Sequence, residues 1–355
     1  MKILVINPGS TSTKLAVYEN ENQVWTDGIT HTAEDIAQFS HVNDQYEFRK
    51  KLVLDELKNA GIEVAFDAVI GRGGLLKPTS GGVYQVNEKI RHDLLNSHME
   101  HASNLAALIA ADIAKDCGCP AYLADPVVTD ELCDEARLTG IPEIPRISVF
   151  HALNSRAVAR GYAAKCGRKY ENMNFVVAHM GGGISVSAHR MGKVVDVNNA
   201  INGDGPFSPE RAGTIPAGQL VDLCFSGKYE YNEICRMLNG RGGLVAHLGT
   251  TSGKDVAEAI YNGNVEYKKV FDAMIYTIAK QIGSMHVTLK AKTDAIILTG
   301  GMAHNKYLVE HLVEWVGDLA PVVVVPGEDE LGALAMNALG ALRGELPLQE
   351  YNPKE

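Results

Sequence analysis

A short apolar strand, a glycine-bearing turn and a second strand occur twice in this chain, with Asn7 of the first turn and His179 of the second 172 positions apart. The first copy reads as strand 2–6, turn 7–13 and strand 14–18. The second reads as strand 174–178, turn 179–183 and strand 184–188, after which Met191-Gly192-Lys193 turns into a third strand at 194–197. Two long halves with one opening predict a duplicated α/β domain rather than a solenoid of short units. The rest of the pattern agrees. Amphipathic helices are predicted over 47–60, with Phe48, Leu52, Val53 and Leu57 on one face, and over 101–116 and 151–166; Gly61 and Gly118 end the first two. Strands at 65–70, 121–124, 295–298 and 322–325 alternate with them, and a final helix begins at 331 with Leu334, Ala335 and Ala338. Such alternation implies a mixed sheet with helices packed on it. The 355 residues exceed the usual span of one domain. The expected division is 1–145 together with 331–355 against 146–330, the Pro-bearing stretch 140–145 marking the junction.

Glycine is over-represented, with 35 residues against a usual share of about 7%. That surplus fits several turns with unusual torsions or close backbone approach to a ligand. The net charge of −10 argues against nucleic acid as a partner, since such proteins carry a basic stripe. It leaves room for a small anion, which needs only local cations. The start is apolar for only four residues before Asn7-Pro8-Gly9, short of a signal peptide or a spanning helix. Cysteines 117, 119, 133, 166, 224 and 235 form neither paired zinc spacings nor a disulfide framework. The expectation is a cytoplasmic protein with reduced thiols and no membrane partner.

Three turns follow apolar strands: 7–14, 179–183 and 300–305. Turns of this kind present successive backbone N–H groups to phosphate oxygens. None is a Walker A sequence or a G-x-G-x-x-G. The cations available near them in the sequence pattern are Arg72 between glycines, His101, His179 and Arg211.

Val5-Ile6-Asn7-Pro8-Gly9-Ser10-Thr11-Ser12-Thr13-Lys14 resembles the first signature of the acetokinase family, and Val176-Val177-Ala178-His179-Met180-Gly181-Gly182-Gly183-Ile184-Ser185 resembles the second. The wording of the first is most similar to the butyrate-kinase branch. The resemblance runs from residue 1 to about 343. It implies two actin-like ATPase (ribonuclease H-like) domains with mixed five-stranded sheets and a nucleotide cleft between them. It also implies reversible transfer of the γ-phosphoryl of ATP to a short-chain carboxylate, with Mg²⁺, by an enzyme that forms homo-oligomers. Residue chemistry is compatible with this. A carboxylic acid, with a pKa near 4.3, arrives ionised and needs no base; it needs its charge balanced as two anions meet. Asn7 occupies the position where related sugar kinases carry an Asp.

By resemblance, Arg72 holds the carboxylate and the transferring phosphoryl, His179 contacts the phosphoryl in flight, His101 is a second active-site histidine, and Asp125 orients the arginines. Asn7, Ser10, Ser12 and Lys14 form the first phosphate turn, and His179, Gly181, Gly182 and Gly183 the second. Gly300, Gly301 and Asn305, with Lys254 and Asp255, form the adenosine side. Asn7 and either Asp329 or Glu330 stand near Mg²⁺. The expected wall against the acyl tail is Gly73, Gly74 and Ala178, beside Arg72 and His179. One departure stands out. The family's second arginine follows a Gly-Thr pair, whereas Gly213-Thr214 is followed here by Ile215, leaving Arg211 as the substitute. Acetate, propionate or isobutyrate as substrate, and a non-catalytic ATP switch of the actin type, are the alternatives.

Overall fold

The computed structural model describes residues 1–97, 100–201 and 203–353. The chain packs as two units, Met1–Thr129 with Asp329–Glu355, and Asp130–Glu328. The last two residues of the expected segment 331–355 lie outside the described residues.

In the first unit, β1 (Lys2–Pro8), β2 (Ser12–Glu19) and β3 (Asn22–Thr30) form an antiparallel meander. β4 (Ala68–Arg72) lies parallel to β1, and β6 (Ala121–Ala124) parallel to β4, with β5 (Val83–Gln85) antiparallel to β6. β1 is buried almost throughout because both faces of the sheet are covered. Leu4 and Ile6 meet a core that includes Val53 and Leu57 of helix α1 (Tyr46–Asn59) and Leu105 and Leu108 of α2 (Asn104–Cys117). α2 ends where the sequence predicts, since Gly118 adopts the left-handed cap with φ 67°. It starts three residues later than expected, because the N–H groups of Asn104, Leu105 and Ala106 reach back only three residues, to the carbonyls of His101, Ala102 and Ser103, in turns that precede the α-helical pattern.

In the second unit helix α3 (Ala152–Lys165) leads to a repeat of the meander in β7 (Asn174–Met180), β8 (Ile184–Arg190) and β9 (Lys193–Val197). Helices α4 (Gly253–Tyr261) and α5 (Val265–Thr288) follow. Then β10 (Ala295–Gly300) pairs parallel with β7, and after α6 (Lys306–Val316) the strand β11 (Val322–Pro326) pairs parallel with β10. The chain then returns to the first unit as α7 (Glu330–Leu342), which packs on β1, β4 and β6, and as β12 (Leu348–Gln349) beside β5.

The strand orders β3-β2-β1-β4-β6 and β9-β8-β7-β10-β11 are the same, with the same directions. Both meanders even slip register at matching places, Val17/Tyr18 and Ala188/His189. The duplication read from the turns is therefore present in the fold. The first sheet differs from the five-stranded expectation: β5 and β12 extend it to seven. The unit boundaries, 129/130 and 328/329, also differ from 145/146 and 330/331. Residues 130–146 hold to β9 instead. Glu131 accepts the N–H of Val194 at 2.7 Å, Cys133 N–H reaches the Val195 carbonyl at 3.0 Å, and Arg146 pairs with Asp196 at 2.8 Å. Among the described residues no helix is long and apolar enough to cross a membrane.

Glu131 also pairs with Arg156 of α3 at 3.0 Å, both side chains being under a tenth exposed. Removing one member of a buried pair leaves the other charge uncompensated. Glu131→Ala is expected to lower stability to urea by about 3 kcal/mol. A loss below about 1 kcal/mol, the range of a surface pair, would mean that this segment does not anchor the unit.

Candidate active site

The first turn is set by the β1–β2 hairpin. Asn7 pairs across to Lys14, and Gly9 N–H donates to the Ser12 carbonyl at 2.7 Å. Ser10 and Lys14 are exposed, Ser12 is half-buried and Asn7 is buried. Because side chains alternate along a strand, Asn7 and, through the register of β1 with β4, Arg72 share the sheet face on which α7 packs. α7 brings Glu330 to them. Asn7 Nδ2 donates to Glu330 at 2.7 Å, and the Arg72 guanidinium lies 3.1 Å from the same carboxylate. Asp329 does something else: its Oδ1 accepts the N–H of Gly332 at 2.8 Å and caps α7. Of the two acidic residues, Glu330 is the one beside the turn.

Arg72 ends β4 opposite Ala124, which places Asp125 one residue beyond the neighbouring strand. Asp125 is buried and non-glycine yet has φ 40°, a conformation that side chains disfavour. It is held there by Gly82, whose N–H donates to Oδ1 at 2.7 Å while its carbonyl accepts the Asp125 N–H at 3.0 Å. His101 precedes α2, its Nδ1 2.7 Å from Ser103 Oγ. It keeps a solvent-exposed edge; desolvation of the rest, then the charges of Arg72 and Arg49, hold its pKa below the ordinary imidazole range.

The second turn, after β7, is closed by Gly181 N–H donating to the Gly183 carbonyl at 2.9 Å. Ser208 Oγ–H donates to the Gly182 carbonyl at 2.6 Å. Arg211 lies directly over Gly183, where a Cβ would meet its guanidinium, and donates to the Ala200 carbonyl and to Asn239 Oδ1. Glycine is thus required at 183 for Arg211 to sit there. The third turn joins the second. Gly300, with φ 88°, brings its backbone so near Met180 that a Cβ would stand 2.4 Å from the Met180 carbonyl oxygen. Asn305 caps α6 through the Leu308 N–H and donates to the Gly253 carbonyl at 2.7 Å. That bond ties the loop carrying Gly301 to the start of α4, where Lys254 and Asp255 are exposed.

His179 is 2% exposed, and its ring stacks on His151 with centroids 3.8 Å apart and planes 10° from parallel. Nε2 faces Gly181 and lies 3.5 Å from Glu328, while Nδ1 is buried without a partner among the described residues. Burial lowers its pKa to about 4, so the ring is neutral at pH 7. His151, which bonds Ser185 Oγ at 3.0 Å, and Glu328 are residues the sequence reading missed. A histidine just ahead of a predicted helix carries no signal of its own.

The expected acyl-tail wall is corrected. Ala178 points away from His179, as neighbours on a strand must, and packs in the core with Val176, Met180 and Val186. At Gly73 the space for a side chain is already filled by Pro126, and at Gly74 by Asn104 and Leu94. These glycines permit close packing rather than leaving a void.

The model of the acetokinase family matches residues 145–319. The chain is 63% identical over its whole length, and that of the relative, to the "Probable butyrate kinase" of Phocaeicola vulgatus. It is 49% identical to "Butyrate kinase 2" of Clostridium acetobutylicum, with 99% of each chain covered. Among solved structures it resembles Porphyromonas gingivalis acetate kinase, with TM-score 0.78 at 18% identity over 96% of this chain and 99% of that one. A propionate kinase from Francisella tularensis gives TM-score 0.72 at 17% identity, covering 95% and 98%. At such identities these two structures speak for the fold.

The His179 geometry sets a pH dependence. The unfolded imidazole binds its proton near 6.5, the folded ring only near 4, so the native state loses stability as pH falls through that window. Urea unfolding between pH 7.5 and 4.5 is expected to show a shallower fall for His179→Asn than for the parent. Equal slopes would mean that the ring is not held neutral by burial.

Proposed function

The chain belongs to the acetokinase family, and from that premise we propose that it transfers the γ-phosphoryl of ATP reversibly to butyrate, giving butyryl phosphate and ADP. The observation that carries the reading is the meeting of Asn7, Arg72 and Glu330 beside the first turn. A cation and an amide at a row of backbone N–H groups suit two anions that react with each other. Butyrate is favoured over acetate by the relatives: those named butyrate kinases share about half or more of the sequence along the full chain, against 17–18% for the acetate and propionate kinases.

The acid arrives ionised, so no base is required. Arg72 exchanges its contact with Glu330 for the incoming carboxylate and balances charge as transfer proceeds in line, without a phosphoenzyme. Neutral His179 serves as an N–H donor rather than as a cation. Asn7, Ser10, Ser12 and Lys14 and the amides of both turns other than those of Gly9 and Gly181, which close the turns, receive phosphate oxygens, with Arg211 beside the second. Asp125 fixes the strand end next to Arg72, and His101 adds a further contact. Gly300, Gly301, Asn305, Lys254 and Asp255 form the nucleoside side.

Mg²⁺ fits this donor set. It binds through one or two carboxylates plus phosphate oxygens rather than through an all-protein cage. Glu330 supplies such a carboxylate, with Asn7 adjacent, and among the described residues no cluster of three or more metal ligands exists. When bound, the ion neutralises charge on the β- and γ-phosphates. Work in the cytoplasm as a homo-oligomer belongs to the same proposal.

Hydroxylamine trapping of the acyl phosphate with ATP and a panel of C2–C5 acids is expected to give the highest kcat/KM with butyrate. No product with any acid would overturn the reading. Arg72→Ala is expected to lower kcat by about 10²–10³, the usual effect of removing a transition-state donor, with KM for ATP within about threefold. Near-normal kcat would remove Arg72 from the reaction.

A further inference from the structure

Arg49 lies on α1 four residues before Val53 and eight before Leu57, in the stripe that faces the core, and is 1% exposed. A guanidinium there is expected to find a carboxylate, since an uncompensated buried charge is costly. Among the described residues Arg49 finds only neutral oxygens. Its Nη groups donate to the carbonyl of Gly9 at 2.9 Å, the carbonyl of Ser10 at 3.0 Å and Thr13 Oγ1 at 3.2 Å, with Ser12 O at 3.4 Å. Its Nε donates to Gln45 Oε1 at 2.9 Å. Its directional donors are therefore satisfied while its charge is not. Thr13 Oγ1 also lies 2.9 Å from Nε2 of His31.

We infer that Arg49 is a positioning residue for nucleotide binding: it ties the carbonyls of the first phosphate turn inward, so that the turn's amides face the ligand, and its buried charge is balanced by the phosphate groups of ATP. In a trans peptide the C=O and N–H point opposite ways, so holding the carbonyls of Gly9 and Ser10 inward turns the N–H groups of Ser10 and Thr11 outward. Holding the carbonyls in place removes their negative ends from the anion's side, and the charge stands one layer of backbone behind it. Arg49 deprotonation is not available as relief, because guanidinium stays protonated in proteins. Its charge adds to the burial that lowers the pKa of His31, and to the burial and the Arg72 charge that lower that of His101. The inference rests on the first turn being a phosphate site, as in the proposed reaction, but it requires neither turnover nor a particular acid.

Calorimetric titration with ATP alone reads it directly. Arg49→Gln is expected to raise the Kd for ATP about tenfold, and Arg49→Lys, which keeps the charge, to stay within about threefold of the parent. Melting curves and circular dichroism show that each variant compared is folded. In turnover assays Arg49→Gln should raise KM for ATP with KM for butyrate unchanged, a split that general loosening of the fold does not produce. Unchanged Kd in folded Arg49→Gln, or Arg49→Lys as weak as Arg49→Gln, overturns the inference. Where Arg49→Gln does not fold, Arg49→Lys decides alone: a tenfold weaker Kd overturns it. Absence of acyl phosphate formation by the parent overturns the proposed reaction, while the ATP titrations still test Arg49.

Discussion

Backbone amides bind an anion only when the carbonyls that alternate with them are engaged elsewhere. A loop left free would turn both toward the ligand, and each carbonyl pointed at a phosphate oxygen would cancel an N–H. The two turns meet this condition by different means. In the first, Arg49 gathers the carbonyls of Gly9 and Ser10 from below with a charged fork. In the second, Ser208 takes the Gly182 carbonyl, Gly181 N–H takes that of Gly183, and Arg211 crosses above Gly183. The first turn is backed by a buried charge and the second is topped by a part-exposed one.

The duplicated scaffold explains why these turns exist at all. In each unit the central strand, β1 or β7, is antiparallel to its hairpin partner and parallel to its other neighbour, so its C-terminal end must turn sharply while the parallel neighbour ends beside it. That neighbour contributes Arg72 in one unit and Gly300 in the other. The second unit's sheet is covered on β7 and β10 by α3, and the first unit's on β1, β4 and β6 by α7. Returning from the second unit, α7 lays its first residue, Glu330, against Asn7 and Arg72. The charge balance of the first turn thus depends on the far end of the chain.

Much of this was legible in the sequence because it is local. Strand, glycine turn and strand announce a hairpin, and two copies announce a duplication. β3 left no such trace: Asn22–Thr30 is largely exposed and polar, and its pairing with β2 rather than any apolar alternation makes it a strand. β5 and β12 are too short for a period to register. The stripe of α1 was read from Phe48, Leu52, Val53 and Leu57, of which Val53 and Leu57 are fully buried and Phe48 and Leu52 half-buried, whereas Arg49, which hydropathy places on the surface, goes inside with Val53 and Leu57. Partnerships that span long separations were invisible for the same reason. Nothing near His179 in the chain indicates His151, and nothing near Asp329 and Glu330 tells which one caps the helix and which faces the turn.

Period-two alternation also decides where selectivity for the acid cannot lie. Neighbours on a strand face opposite sides of the sheet, so Ala178 packs in the core on the side away from His179. The glycines after Arg72 fail for another reason, as Pro126 and Asn104 already fill their space. The residues beside Arg72 and His179 along the chain are therefore occupied in holding those side chains still. An acyl tail buried against protein gains about 0.8 kcal/mol per methylene, and that gain requires apolar side chains facing the ligand. Such side chains have to come from positions other than those next to Arg72 and His179 in the chain.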